Sequence, residues 1–229
     1  MPTLAAAALF ALLLWLGFWQ LDRAREKEAL HAAFLARSAA SPVDLLAAAG
    51  DAEEIVWRRA RLHGRYDREA TYLLDNQVHG GQAGYLVYNA FILDGDERRV
   101  LVSRGWVPAG ADRARAPAIE IPAGERLLEG LAKPVPVTPV LRETPAEPLA
   151  PGVLRVQQID TAAFGAARGW ELSSYEVRLD GSAAGFVRDW PVPGSGRERH
   201  LGYAFQWFAM AAALFTIFVV LGFRRSPAA

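Results

Sequence analysis

Two long segments without charged side chains lie near the two ends of the sequence. Residues 3–21 read TLAAAALFALLLWLGFWQL, and residues 201–223 read LGYAFQWFAMAAALFTIFVVLGF. A helix rises about 1.5 Å per residue, so roughly 20 apolar residues cross the hydrocarbon core of a bilayer. The pattern therefore predicts two transmembrane helices, at residues 3–21 and 200–223.

Each segment has an alternative interpretation: a cleaved signal peptide for the first and a buried soluble helix for the second. A signal peptide has a basic start, a shorter apolar stretch and a small-residue cleavage site. This sequence instead begins Met-Pro-Thr and runs from Leu21 into the charged stretch DRAREKEALHAAFLAR, and the second segment is followed by Arg224 and Arg225. We therefore expect an uncleaved anchor, a juxtamembrane helix at residues 22–40 and a second true span.

Two spans that enclose one large segment return the chain to the membrane face from which it left. The exit of the first span and the entry of the second must then lie at the same face, although nearly the whole sequence separates them. The residues concerned are Trp19, Gln20 and Arg23 at the exit, and Arg199, His200 and Tyr203 at the entry.

Short segments rich in alternating, β-branched and aromatic residues fill the region between the spans. Turn residues separate them, including Asp67-Arg68, His79-Gly80-Gly81 and Asp94-Gly95, and this pattern is typical of an antiparallel sheet. The predicted strands are residues 55–66, 70–78, 85–93, 99–107, 125–133, 153–159 and 170–180, with a small helix at residues 161–167. Residues 133–151 contain six prolines and predict a surface connection or a linker.

The predicted fold is therefore α+β and membrane-anchored. Two transmembrane helices flank a mainly antiparallel β domain with short helices, and this domain occupies residues 41–199.

Composition narrows the chemistry that this chain can perform. It has no Cys, and Met occurs only at Met1 and Met210, so disulfides, thiolate metal sites and a sulfur site for copper(I) are excluded. Lys plus Arg and Asp plus Glu both number 25, so no broad basic field attracts nucleic acid. Zinc-hydrolase spacings, phosphate-binding glycine loops and a GxSxG elbow are missing from the sequence, and we expect no enzyme.

One histidine occupies an unusual position, at the head of the second span. On a helix His200, Tyr203, Ala204, Trp207 and Ala211 share a face, with an imidazole above aromatic and then small residues. Such a stripe suits a flat apolar macrocycle bound through iron. The alternative is that the aromatic residues belong to an interfacial belt and that the histidine only caps the helix.

A surface on the first span matches this stripe. We expect it to contain Trp15, Gly17, Trp19 and Gln20, with Gly17 allowing close helix approach. Gln206 is a polar residue inside the second span, and we expect it to contact the other span rather than lipid.

Three blocks of this sequence resemble the surfeit locus protein 1 family of cytochrome c oxidase assembly factors. They are LGFWQLDRAREKEAL at residues 16–30, GYLVYNAFIL with VLVSRGWVP between residues 84 and 108, and HLGYAFQWF at residues 200–208. The three blocks occur in the same order as in the family and cover both spans and the middle of the chain. Together they are a more specific match than any single block.

The resemblance implies an integral membrane protein that assists maturation of subunit I of a haem-copper oxidase. It implies termini in the cytoplasm and the β domain on the other side, which is the periplasm in a bacterial inner membrane. Because no transit-type extension precedes Thr3, we expect a bacterial member. Bacterial members resemble haem a binders, and the family's histidine at the head of the second span is His200 here.

Two hypotheses follow. In the first, His200 binds the iron of haem a, Tyr203 and Trp207 pack on its ring, and Arg23, Arg197 or Arg199 pair with its propionates. Partners would be oxidase subunit I, the lipid bilayer and a haem a synthase. In the second, the chain is a scaffold that holds subunit I without binding haem. The Arg104-Gly105-Trp106 run would fix the domain fold or form a partner surface.

Overall fold

The structure is a computed structural model that describes residues 2–47, 52–95, 98–136, 145–181 and 185–224. It divides into two compact units, a helical unit of Met1–Leu35 with Pro191–Ala229 and a β domain of Ala36–Trp190. The elements, in chain order, are α1 (Pro2–Ser38), β1 (Val43–Asp44), α2 (Ala52–Ile55), β2 (Arg59–His79), β3 (Gln82–Leu93), β4 (Arg99–Pro108), β5 (Arg126–Pro134), β6 (Glu147–Ala150), β7 (Val153–Val156), α3 (Thr161–Arg168), β8 (Leu172–Leu179) and α4 (Arg197–Arg224).

Two helices are long and apolar enough to cross a membrane. Thr3–Ser38 contains a window of mean hydropathy 2.0, and Arg197–Leu221 contains one of 2.1. α1 passes without a break from the apolar segment into the charged one, because neither Pro nor Gly occurs between Leu21 and Ser38. Ser41-Pro42 follows its end, where proline disfavours a helical residue before it.

The β domain is built on one mixed, mainly antiparallel sheet. Its strand order is β3-β4-β8-β5-β2-β7-β6, and β2 also pairs with β3. Five strands therefore close into a ring, in which only the β4–β8 pairing is parallel. β7 joins β2 in parallel outside the ring, and β6 pairs with β7. The predicted α+β fold with flanking apolar helices is confirmed.

One predicted separation between strands is wrong. Residues 55–66 and 70–78 were expected as two strands, but β2 runs continuously from Arg59 to His79. Its pairing with β3 shifts register between Tyr66 and Thr71, so Asp67-Arg68 lies at an irregularity within the strand rather than at a turn. The first part of β2 pairs with β5 and the second part pairs with β7. Because β2 is 21 residues long, one strand can pair with both.

The proline-rich connection contains a short strand that the sequence did not predict. β6 includes Pro148 and stands at the edge of the sheet, the place where a residue without an N–H is tolerated. Residues 137–144 of this connection lie outside the described residues. The predicted helix at residues 161–167 is confirmed as α3, and the Asp160 side chain caps it by accepting a hydrogen bond from the Ala163 N–H at 2.9 Å.

β4 is buried on both faces and fixes the chain that follows β8 to the sheet. Trp106 and Val187 form an isolated antiparallel bridge, with N···O distances of 2.8 and 2.9 Å. The Trp106 indole donates a further hydrogen bond to the Gln77 carbonyl at 3.0 Å. Gly105, with φ +129°, lets Val187 approach, since a Cβ there would lie 2.8 Å from the Val187 carbonyl oxygen. This geometry supports the fold-fixing role expected of Arg104-Gly105-Trp106.

Gly105→Ala is therefore expected to destabilise the β domain by about 2–4 kcal/mol, because it adds backbone strain and an overlap with the Val187 carbonyl. Gly110→Ala is the matched control: its φ is +75° but nothing lies within 4 Å of the added carbon, so it should cost only about 1 kcal/mol. Thermal unfolding of the two full-length variants in detergent measures the difference. Equal midpoints would contradict the close approach at Gly105.

Candidate functional site at the paired helices

Small residues lie between α1 and α4 in the helical unit. Leu13, Gly17 and Ala24 are buried on α1, and Ala204 and Ala211 are buried on α4. Their spacings of four and seven place them on one stripe of each helix. A Cβ at Gly17 would lie 2.5 Å from the Phe208 ring, so the ring occupies the space that a side chain at this position would need. Small residues commonly mark such contacts within a bilayer, where packing rather than water exclusion drives association.

The helices run antiparallel, as their contacts show. Phe10 meets Phe215 with ring centroids 6.1 Å apart, and Phe18 meets Phe208 at 5.3 Å. Further towards the charged end, Glu28 and Arg197 form an ion pair at 3.3 Å. Residue numbers therefore rise along α1 as they fall along α4.

Gln20 and His200 meet in the contact between α1 and α4. Each lies at the end of its apolar segment, next to the charged residues of its own helix. The His200 Nδ1 and the Gln20 Oε1 are 2.7 Å apart, and both side chains are half-buried. With the amide oxygen as acceptor, Nδ1 donates the hydrogen bond, and the neutral ring carries its free lone pair on Nε2. In the described part of the chain Nε2 has no hydrogen-bond partner. The predicted neighbourhood of the two span ends is confirmed.

The other predicted residues of the stripe are distributed differently. Trp207 is half-buried, whereas Tyr203 is 45% exposed. Gln206 is exposed, so the expectation that it contacts the other span is wrong. It lies about 200° around the helix from Ala204, which puts it on the opposite face.

Two tryptophans expected on the matching surface of α1 also point elsewhere. Trp15 is 61% exposed and Trp19 is 41% exposed, so only Gly17 and Gln20 of the predicted set contribute to the contact. Trp15 and Trp19 each follow a contact residue by two positions, a rotation of about 200°. The aromatic residues were expected at the helix contact because of their type. The rotation of successive residues around the helix instead brings the smaller residues to the contact.

The three arginines near the head of α4 have different partners. Arg23 is paired with Glu26 on its own helix at 2.7 Å, and Arg197 is paired with Glu28. Arg199 is exposed, and among the described residues its guanidinium has neither an ion pair nor a hydrogen bond. Of these three arginines, therefore, only Arg199 can bind an anion without first breaking an ion pair seen among the described residues.

The segment before α4 is held against α1 by contacts that the sequence did not predict. The His31 Nδ1 lies 3.1 Å from the Pro193 carbonyl oxygen. Gly194, with φ +74°, brings its backbone so close to α1 that a Cβ would lie 2.5 Å from the Lys27 carbonyl oxygen. The signal available was the Pro-Gly-Ser-Gly run at residues 193–196, which suggests a turn but not its contact.

A separate buried polar cluster lies in the β domain. The Glu176 carboxylate is fully buried and contacts the Arg178 Nε at 2.9 Å and the Lys133 Nζ at 3.5 Å. Burial lowers the pKa of Lys133, while Glu176 opposes this change. Burial, reinforced by the Glu176 charge, raises the pKa of Tyr88 well above its usual value. The Glu176 side chain thus has two cationic neighbours, and the cluster joins β5 to β8 within the sheet.

The fold and the site define a class of protein in which two apolar helices, each long enough to cross a membrane, pair through a Gln–His contact and enclose a β domain in sequence. A sequence model of the SURF1 family, the surfeit locus protein 1 family, matches residues 7–212, and this chain belongs to that family. SURF1 proteins are cytochrome oxidase assembly factors and not a known class of enzyme. The chain is 25% identical over 229 residues to a SURF1-like protein of Rickettsia felis, covering 95% of this chain and 94% of that protein.

Gly17→Leu should separate the helices, because the new side chain overlaps the Phe208 ring and overpacking of this kind costs about 1–3 kcal/mol. Gly202→Leu is the control on the facing helix, where nothing lies within 4 Å of an added Cβ. Titration with sodium dodecyl sulfate, followed by tryptophan fluorescence, should show earlier unfolding of the first variant only. Equal sensitivity of the two variants would mean that the helices are not packed at Gly17.

Proposed function

We propose that this protein binds haem a as a transient cargo through His200 and assists its insertion into subunit I of a cytochrome c oxidase. The observation that carries the proposal is the hydrogen bond between His200 and Gln20 at the head of α4. Membership of an assembly-factor family supports a role in oxidase assembly. The Gln20–His200 contact provides a candidate group for binding haem iron.

The contact favours iron coordination because it prepares the imidazole. Histidine ligands commonly donate their other ring N–H to an acceptor, which fixes the tautomer and the orientation of the ring. Gln20 is that acceptor here, and Nε2 is left with its lone pair. The haem supplies an iron atom with an open axial position, whereas the protein supplies one neutral ligand.

Neighbouring side chains fit the remainder of such a ligand. The half-buried Trp207 and the exposed Tyr203 follow His200 along the helix and provide apolar surface for a macrocycle. Arg199 lies at the same end, and within the described residues its guanidinium has no partner. Guanidinium groups bind carboxylates such as propionates through paired hydrogen bonds. Arg23 is a secondary choice, since it would first have to leave Glu26.

A single protein ligand also suits a carrier. Two axial ligands hold haem in many electron-transfer cytochromes, whereas one ligand leaves binding weaker and exchangeable. We infer that the protein receives haem a from a haem a synthase in a bacterial inner membrane, with the β domain in the periplasm. It then releases the haem to subunit I.

His200→Ala is expected to abolish the haem a absorbance of protein purified from cells that make haem a, because the iron ligand is removed. His63→Ala is the control, since His63 is exposed on β2 in the other unit. The measurement is pyridine haemochrome quantitation per mole of full-length protein. Unchanged haem in the His200 variant would refute the ligand assignment.

The same variants separate the carrier from the scaffold. If His200→Ala lacks haem yet subunit I still acquires haem a normally, the scaffold hypothesis is favoured. Trp106 is a poor probe of a partner surface, because its side chain is only 8% exposed and its indole bonds to the domain's own backbone. Its replacement would disturb the fold before it disturbed a partner.

Gln20 is a positioning residue in this proposal, and substitutions there separate orientation from ligation. Gln20→Leu removes the acceptor and should weaken haem retention about 10–100-fold, the usual cost of losing such a partner. Gln20→Glu keeps an acceptor and adds charge, so haem should be retained and its reduction potential should fall. Haem quantitation per mole of protein measures the retention, and spectroelectrochemical titration measures the reduction potential. Identical potentials in wild type and Gln20→Glu would exclude a bond between residue 20 and a ligating His200.

A further inference from the structure

A cavity of about 590 Å³ opens in the β domain and is lined by three guanidinium groups. Arg104 comes from β4, Arg126 begins β5, and Arg188 lies on the segment bridged to β4. Tyr66 forms part of the wall, and its ring is 5.1 Å from the Arg104 guanidinium carbon. We call this cavity the arginine cleft.

The guanidinium groups of the arginine cleft have no carboxylate partners among the described residues. Arg104 is 6% exposed and donates to the Asn89 side-chain oxygen at 3.2 Å and to the Glu120 carbonyl at 2.8 Å. Arg188 donates to the carbonyls of Arg104 and Asp180 at 2.7 and 2.6 Å. Arg126 is exposed and makes no hydrogen bond or ion pair within the described part of the chain. Their hydrogen-bond acceptors are therefore all neutral.

The acidic side chains in the wall are already engaged. Glu129 pairs with Arg61 at 2.7 Å, and Asp180 pairs with Arg59. A third carboxylate, that of Glu120, faces Arg104 from an exposed position. The cleft therefore retains an excess of positive charge at three converging groups.

This arrangement costs free energy, because burial lowers the pKa of both Arg104 and Arg188 and the carboxylates of Glu120 and Asp180 offset only part of that effect. Burial lowers the pKa of Arg104, Tyr66 and Glu120 oppose this, and the charges of Arg188 and Arg126 add to it. Burial also raises the pKa of Tyr66, while the same three arginines lower it. An anion placed among the guanidinium groups would relieve their repulsion and accept hydrogen bonds from them.

Apolar groups border the charged centre. Pro122, Leu127, Leu128 and Leu179 also line the cavity, and Leu127 is 55% exposed. The volume lies in the range of sites for small organic molecules and exceeds the needs of a simple inorganic ion. We propose that the arginine cleft binds an oxyanion, a phosphate or carboxylate group, carried on a molecule with a small apolar body.

The test uses full-length protein in an uncharged maltoside detergent, with hexyl phosphate and hexanoate as probes at constant ionic strength. Hexanol and inorganic phosphate are the comparison ligands. At least one of the two charged probes should give saturable binding in isothermal titration and raise the unfolding temperature. Inorganic phosphate should bind more weakly than hexyl phosphate, and hexanol should not bind saturably.

Arg126→Gln should raise the dissociation constant about tenfold or more, since it removes a charged hydrogen-bond donor without breaking any bond of the fold. Arg65→Gln is the matched control, because it removes the same charge at another position. Arg65 precedes Tyr66 in sequence, but it is exposed and does not line the cleft. Its affinity should equal that of wild type. Absence of saturable binding, equal loss in both variants, or equal binding of hexyl and inorganic phosphate would each overturn the proposal.

The inference is independent of haem binding. His200→Ala lies in the other unit and should leave the affinity for hexyl phosphate or hexanoate unchanged. A loss of hexyl phosphate and hexanoate binding in that variant would also contradict the assignment to the arginine cleft.

Discussion

Close packing at Gly17 is the constraint on which the helical unit depends. Within a bilayer the lipid chains are as apolar as the helices, so two spans stay together only where their surfaces fit. Gly17 admits the Phe208 ring, and Ala24, Ala204 and Ala211 continue the fit along the same stripe. The Gln20–His200 bond lies on this stripe too. The polar pair and the close packing therefore occupy neighbouring turns of the same two helix faces.

The β domain is stabilised by a different principle. Its five-strand ring closes through β2, which is long enough to pair with β3, β5 and β7. β4 is buried on both faces, so alternate side chains enter different cores, with Val100 and Val102 in one and Leu101 in the other. Polar groups on such a strand need partners inside the protein. The hydrogen-bond acceptors that Arg104 finds there are neutral, and burial lowers its pKa although the Glu120 charge opposes this.

Much of the fold was accessible from the sequence because its signals are local. Uncharged runs identified both apolar helices, and the turn residues located most strands. Asp67-Arg68 misled because a bulged strand and a turn use the same residues, and only pairing with β3 distinguishes them. Pro148 correctly excluded a central strand but did not exclude an edge strand.

The candidate site was predicted less completely, since it depends on which face of each helix meets the other. Topology predicted that the exit of the first span, around Gln20, lies near the entry of the second, around His200, and the contact between these two residues confirms it. It favoured Trp15, Trp19 and Gln206 by residue type, yet helical phase turns all three away. The arginine cleft was not visible at all, because Arg104, Arg126 and Arg188 are far apart in sequence and converge only when the ring closes.

The bond between Gln20 and His200 joins residues separated by 180 positions. Translation delivers the Gln20 acceptor well before the His200 imidazole, so the pair cannot form on a nascent chain that still lacks α4. Until then the apolar stripe of α1 must be covered by lipid or by another protein. Any property that needs the oriented histidine therefore arises only after α4 has been made and has packed against α1.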